Sequence, residues 1–297
     1  MTRAATEATA PAESRTRGIL LCVAAMALFA TANGFLLVSL SSFSAIQTMM
    51  LRLWALLAMA SIIAMRRGGL LTALRARRPW LQLSRGAFLV FDQLMFTLTL
   101  MFLGLIEVSA LYAVTPLLAM ALAVPLLGER IGWRHVLAVS VGFAGALLII
   151  RPGSAVFDPW ALLAVFGALM YALYAISTRL ASLTDSHETS LLYTSIFGAF
   201  ATTPFGIAQW HWGDPHAWTF LGISLSLSLL AHAIVIRAYA LVPAYVLQPF
   251  NYVGLASSTL IGIVFFAERP DALSIAGMAA IATAGLSIAL YEGRRRP

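Results

Sequence analysis

Lysine is absent from this chain: all 19 basic residues are arginine. A phosphate-binding loop of the GxxxxGK[ST] kind needs that lysine, so ATP-driven work by this chain is excluded. Cysteine occurs once, as Cys22, which excludes an internal disulfide and a cysteine metal cluster. Charge of either sign is scarce, at 10% of residues against 61% hydrophobic ones, and the mean hydropathy is +0.88. Too few polar groups remain to clothe a water-soluble surface. The histidines, His135, His187, His211, His216 and His232, fall mostly in connectors, and His-x-x-x-His, Gly-x-Ser-Gly and Asp-Asp motifs are missing. Neither a metal site nor a nucleophile with its base is indicated, so no enzyme activity and no cofactor are expected.

Long hydrophobic runs take the place of charge. Crossing a hydrocarbon core of roughly 30 Å takes about 20 apolar residues at about 1.5 Å per residue. Ten runs qualify, near 18–38, 44–65, 80–103, 105–125, 133–151, 159–182, 188–208, 217–240, 244–266 and 271–291. They lack strand alternation and are too long for barrel strands, so helices must satisfy the backbone. The expected fold is an all-α integral membrane protein with ten transmembrane helices. The longest connector, 66–79, is too short for a soluble domain, and residues 1–17 read as a disordered cytoplasmic tail. Fifteen arginines flank one side of these spans, whereas Arg151 and Arg269 alone flank the other. The positive-inside rule then places both termini in the cytoplasm. Orientation accounts for the net charge of +7, and nucleic acid is not expected as a partner. Trp80, Trp133, Trp160, Trp210, Trp212 and Trp218 stand at span ends, as an interfacial belt would.

The chain repeats itself. LLGERIGWRH, from Leu126, returns as FFAERPDALS, from Phe265, and LLCVAAMALFA, from Leu20, returns as LLAVFGALMYA, from Leu162. These echoes divide the chain into two five-helix repeats, 18–156 and 157–297. Five crossings per repeat leave the second copy inverted relative to the first, the geometry of alternating access. The Glu-Arg pair recurs because each copy turns there between its fourth and fifth helices. Corresponding helices interrupted by proline mark binding sites in such architectures. Pro116 and Pro249 interrupt the fourth and ninth helices, each freeing a carbonyl one turn earlier.

Several polar groups sit at membrane depth. Asp92 lies about halfway through the third helix, followed by Gln93. A carboxylate there costs about 2.5–3.5 kcal/mol on insertion scales, so it needs a partner, an interior position or a proton. Asp92 is the candidate for proton coupling, with an Asp bonded to a neighbouring helix as the alternative. Arg52, near the middle of the second helix, cannot shed its charge and needs an anion, either on the substrate or at Asp92. His232 is a third candidate, as proton carrier, ligand contact or packed residue. Tyr112 and Thr115 accompany Pro116, while Gln248, Asn251 and Tyr252 accompany Pro249; Tyr171 and Tyr174 add rings on the sixth helix. That mixture suits a planar or zwitterionic metabolite, or serves as interhelical glue. Arg85, one to two turns inside the third helix, is expected to snorkel to the cytoplasmic surface.

The stretches SAIQTMMLR, TPLLAMALAVPLLGER, LLIIRPG, YAISTR and AHAIVIRAYALVPAYVLQPFNY together resemble the ten-helix EamA branch of the drug/metabolite transporter superfamily. Within it the last stretch, with AERPD following, looks most like bacterial uptake carriers for riboflavin and S-adenosylmethionine. The resemblance implies a five-plus-five inverted fold around a central cavity and a multi-pass protein of the cell (inner) membrane. It implies a small-molecule substrate drawn from amino acids, vitamins or nucleoside-like metabolites. Export of drugs or amino acids is the alternative, and a channel or receptor a more distant one. The remaining partners are the lipid bilayer and, for a coupled carrier, protons, with the protein a monomer or a homodimer. Asp92-Gln93 stands outside the shared pattern.

Overall fold

The computed structural model describes residues 12–127, 133–150, 158–182, 184–241, 250 and 252–295. Every described element is helical: α1 (Ala12–Ser39), α2 (Ala45–Arg66), α3 (Leu70–Ala73), α4 (Pro79–Tyr112), α5 (Thr115–Leu127), α6 (Trp133–Ile150), α7 (Pro159–Ser182), α8 (His187–Ala208), α9 (Pro215–Leu241), α10 (Tyr252–Phe266) and α11 (Ala272–Arg295). Among the described residues six stretches are long and apolar enough to cross a membrane: Thr16–Ser39, Ala45–Arg66, Pro79–Tyr112, Pro159–Thr178, His187–Ala208 and Pro215–Val235. Val136–Ile149, Tyr252–Phe266 and Ala272–Ser287 are shorter apolar helices. Two boundaries differ from the sequence expectation. The first helix begins at Ala12, so the end of the expected tail is helical, and the 66–79 connector contains the short α3.

Side chains fix where the helices start. Ser44 accepts the Gln47 amide at 3.2 Å, Ser186 that of Thr189 at 3.1 Å, Asp214 that of Ala217 at 2.7 Å and Asp271 that of Ser274 at 2.9 Å. Each satisfies one of the amides that a helix N-terminus leaves without an internal acceptor. Pro79, Pro159 and Pro215 open α4, α7 and α9, where the missing N–H costs nothing. The Ala217 amide, foremost, holds the exposed Asp214 carboxyl below the usual carboxylate range.

The helices pair through small residues. The principal partners are α1 with α9, α4 with α7, α2 with α8 and α6 with α11, and α1 also meets α10 while α5 meets α7. At the α6–α11 crossing the backbones nearly touch. A Cβ on Gly145 would stand 2.8 Å from the Gly277 carbonyl oxygen, and one on Gly277 would stand 2.6 Å from that of Gly145. Lipid tails are as apolar as leucine, so such close approach, rather than hydrophobic burial, drives helix association in a bilayer. Between α1 and α9, Ser224 Oγ donates to the Ala32 carbonyl at 2.7 Å. Large apolar side chains such as Leu20, Phe200, Phe265 and Leu290 face outward. Of the tryptophans at span ends, Trp80, Trp133 and Trp212 are exposed, while Trp160 stacks on Phe102 at 3.9 Å.

One break organises the rest. Within α4, Gly104 has φ 82° and ψ 178°, outside the helical region, and this is where the third and fourth predicted spans meet. The chain reverses there. In an unbroken helix, residues 20 apart would lie about 30 Å apart, yet the Tyr112 hydroxyl donates to the Asp92 carbonyl at 3.2 Å. The reversal exposes the first amides of the following segment, and Glu268 takes them. Its two carboxylate oxygens accept the amides of Leu105 and Ile106, each at 2.8 Å. Glu268 is aimed by its own backbone, for Ala267 is left-handed at φ 53° and the Glu268 amide bonds to the Gly262 carbonyl at 3.0 Å. The carboxylate also complements the positive end of the new helix.

A second interruption separates α4 from α5 at Ala113–Val114. Pro116 has no N–H, and the carbonyl it would have bonded, that of Tyr112, instead accepts the Thr115 hydroxyl at 2.6 Å.

Two stability tests follow from these contacts. Glu268→Ala removes two bonds to a charged acceptor, each worth about 1.5–3 kcal/mol, and should lower the Tm of the purified protein by several degrees. Gly104→Ala should do the same, because it combines a left-handed φ with a Cβ 2.9 Å from Glu268 Oε1. An unchanged Tm in both would show that the clamp adds no stability. Gly277→Val should cost about 1–3 kcal/mol through overpacking at the α6–α11 crossing, again read as a fall in Tm.

Candidate functional site

Most hydroxyls inside the bundle are already committed. Thr31, Thr97, Thr99, Ser177, Thr178, Thr194 and Thr202 each donate to a carbonyl one turn earlier on their own helix, which spares the hydrocarbon an unpaired donor. Among the described residues, the buried side-chain oxygens without a hydrogen-bond partner are Asp92 Oδ1, Gln93 Oε1 and Tyr252 Oη. Two of these belong to adjacent residues of α4.

Asp92 is 6% exposed. The Gly104 reversal brings Tyr112 back beside it, and the Tyr112 ring meets Phe96 edge-on at 5.0 Å. Arg52 reaches the same region from α2. It interacts electrostatically with Asp92, and with His232 of α9, but no N–O contact within 4.0 Å joins it to Asp92. His232 is oriented by a 2.8 Å contact between Nδ1 and the Ser228 carbonyl. A carbonyl only accepts, so Nδ1 carries the proton and Nε2 faces elsewhere. The Phe29 ring supports the imidazole edge-on at 4.8 Å. Asp92 and Tyr112 are thus joined by a hydrogen bond within α4, while Arg52 of α2 and His232 of α9 are tied to this region by longer-range electrostatics alone.

The other sequence candidates lie elsewhere or are engaged. Thr115 is committed to the Tyr112 carbonyl. Tyr252, at the start of α10, places its hydroxyl against Gly285 of α11, beside the apolar cluster around Ala146, Ile149 and Ile281. Tyr171 is exposed and meets Tyr174 at 5.9 Å between ring centroids. Tyr174 belongs to a second polar centre, lying under the Arg85 guanidinium at 5.2 Å. Gln248, Pro249 and Asn251 lie outside the described residues, as do Glu129 and Arg130.

Arg85 corrects an expectation. It does not snorkel: it is 2% exposed. Its Nε donates to Thr178 Oγ1 at 2.9 Å, and its Nη1 to Gln82 Oε1 and to the Ser190 carbonyl at 3.3 Å. Gln82 Nε2 in turn donates to Asp185 Oδ2 at 2.8 Å, and Asp185 Oδ1 accepts the Arg77 amide at 2.7 Å. The guanidinium stays buried because acceptors from α7 and α8 replace water. Asp185, Gln82 and Ser190 carried no sequence signal of this role. The Glu268 clamp did leave one, the repeated Glu-Arg pair.

This geometry can be set beside known proteins. Residues 16–151 match the model of the EamA-like transporter family. An S-adenosylmethionine uptake transporter of Rickettsia prowazekii is 27% identical over 225 residues, covering 74% of this chain and 75% of that one. A riboflavin transporter of Rhizobium johnstonii is 29% identical over 230 residues, covering 76% and 75%. The pseudopaline exporter CntI of Pseudomonas aeruginosa is 26% identical over 279 residues, covering 91% and 95%. A solved crystal structure superposes with a TM-score of 0.64 at 19% identity, covering 94% of this chain and 99% of its own, which shows the fold alone. Apolar helices around a buried polar group and these relatives agree: residues 16–151 match the EamA-like transporter family, and the chain is a multi-pass membrane protein similar to named transporters.

Proposed function

We propose that this protein carries a small organic metabolite across the cell (inner) membrane by alternating access, working as a secondary transporter. One observation carries the reading: among apolar helices Asp92 of α4 keeps a buried carboxyl oxygen without a partner, Arg52 of α2 stands in its field without contact, and His232 of α9 is held by the Ser228 carbonyl. Charges so placed are costly, and substrate or ion pathways are their usual reason.

The mechanism rests on two inverted repeats, 18–156 and 157–297, with both termini cytoplasmic. The helix pairing supports this. Exchanging each helix with its counterpart five crossings away turns the α1–α9 pair into the α7–α4 pair, and the α1–α10 pair into the α7–α5 pair. A structure built this way has two nearly equivalent states of opposite facing, between which the repeats rock. Substrate enters from one side, engages the Arg52–Asp92–His232 group and leaves from the other. Asp92 is the coupling candidate, because a carboxylate at that depth can cross neutral when protonated and charged when its partner is near. The named relatives include both uptake carriers and an exporter, so net direction follows the imposed gradients.

Proteoliposomes test this. Labelled S-adenosylmethionine, riboflavin, aromatic and aliphatic amino acids and a cationic dye are offered with and without a pH gradient. Saturable uptake of at least one is expected; folded protein that moves none would overturn the reading. For a flux that the pH gradient stimulates, Asp92→Asn should reduce it to its gradient-independent level while leaving the Tm within a few degrees of the parent. Undiminished stimulation would remove Asp92 from the coupling role.

A further inference from the structure

Independently of the transport reading, we propose that the connector between α2 and α4 is a binding surface for anionic phospholipid, its arginines meeting phosphates and its leucines and tryptophan entering the headgroup region. The connector, RRGGLLTALRARRPW from Arg66 to Trp80, carries five arginines, and no acidic residue occurs between Glu13 and Asp92. Arg66, Arg67, Arg75, Arg77 and Arg78 are all exposed. Large apolar side chains between them are equally open: Leu71 is 78% and Trp80 82% exposed, and Leu70 and Leu74 are exposed as well.

The surface is held in shape from behind. Gly68 and Gly69, at φ 139° and 92°, turn the chain out of α2 in conformations that side chains rarely adopt. Ala73 of α3 is buried in a cluster with Ala60 and Ala64 of α2 and Leu192 of α8, and the Tyr193 hydroxyl donates to the Leu74 carbonyl at 2.9 Å. Arg67 pairs with Glu188 at 3.0 Å, and Asp185 accepts the Arg77 amide at 2.7 Å. Among the described residues no ion pair engages the guanidinium groups of Arg66, Arg75, Arg77 or Arg78.

Two features name the occupant. Ile62 and Met65, one turn apart on α2 just before the connector, are exposed, and on a membrane-spanning helix such side chains meet acyl chains. The apolar exposure of the connector therefore continues a lipid-covered surface, and leucine and tryptophan among arginines is the composition of a segment lying in the membrane interface. Charge then selects among lipids. A zwitterionic headgroup offsets its phosphate with its own cation, whereas an anionic one leaves the phosphate to the guanidinium, and each arginine beside an anionic leaflet is worth about a fivefold gain in binding.

Native mass spectrometry of the purified full-length chain, titrated with phosphatidylglycerol or phosphatidylcholine of equal chain length, reads the preference directly. Phosphatidylglycerol should bind about fivefold or more tightly than phosphatidylcholine in the parent. Combining Arg75→Gln, Arg77→Gln and Arg78→Gln should bring that ratio toward unity. Combining Arg294→Gln, Arg295→Gln and Arg296→Gln removes the same charge from the other end of the chain and should leave the ratio within about twofold of the parent, less than the worth of one arginine. A second reading needs no arginine variant to fold: in nanodiscs of brominated phosphatidylglycerol, the share of tryptophan emission that Trp80→Phe removes should be quenched. A ratio near unity in the parent, an equal fall in both triple variants, or Trp80 emission left unquenched would each overturn the proposal. So would a dimer in the mass spectrum that the connector variant alone dissolves, since a second copy of the chain would then be the occupant. No step measures flux, so failure to transport bears on the transporter reading alone.

Discussion

The Glu268 carboxylate, seated on the amides of Leu105 and Ile106, is the contact on which the candidate site depends. A chain that reverses tightly between two spans leaves the first amides of the next helix without internal acceptors, and where those amides are buried another group must accept them. Glu268 is that acceptor, delivered from the other half of the sequence by the left-handed turn at Ala267. The reversal at Gly104 returns Tyr112 to Asp92, and the Thr115 hydroxyl repairs the carbonyl that Pro116 cannot serve. Remove the clamp and the two segments on either side of Gly104 lose what fixes their angle, and with it the wall beside Asp92.

The outline of this fold was legible in the sequence because hydrophobic length is a local property. The junction at Gly104 fell between two apolar runs, and the proline-linked carbonyl was anticipated from the missing N–H alone. Asp92, Arg52 and His232 stood out because charge and imidazole are conspicuous against an apolar background, and the sequence allowed Arg52 and Asp92 to be partners. What it did not contain was distance. Glu268 lies 163 residues from Leu105, so the repeated Glu-Arg pair signalled that something recurred without revealing which amides it served. Burial of Arg85 was equally hidden: one to two turns from a helix end, an arginine ordinarily reaches water, and only Thr178 and the Ser190 carbonyl, from α7 and α8, make the inward rotamer cheaper.

Tyr171, Tyr174, Thr115 and Tyr252 illustrate a different limit. Their side chains were grouped by composition, as rings and hydroxyls near prolines. The structure distributes them among an exposed surface, the Arg85 network, a carbonyl repair and a contact with α11. Composition cannot separate these fates, since a tyrosine on a helix faces whichever neighbour tertiary packing supplies.

Two arginines within the helices differ in how their charge is met. Arg85 has its donors met by Thr178, Gln82 and the Ser190 carbonyl, and Gln82 passes the demand on to Asp185. Nothing in that network asks for a ligand, and its effect is to bind α4 to α7 and α8. Arg52 has the same side chain and the same inability to lose its proton, yet among the described residues it has the field of Asp92 without the contact. A buried pair in direct contact is a satisfied element whose rupture costs stability, whereas a pair held apart keeps its unspent interaction for whatever enters between. On the proposed reading, charges that join helices survive every turnover and charges that meet a substrate are released by it, so the same residue type performs both tasks only if the surrounding acceptors differ.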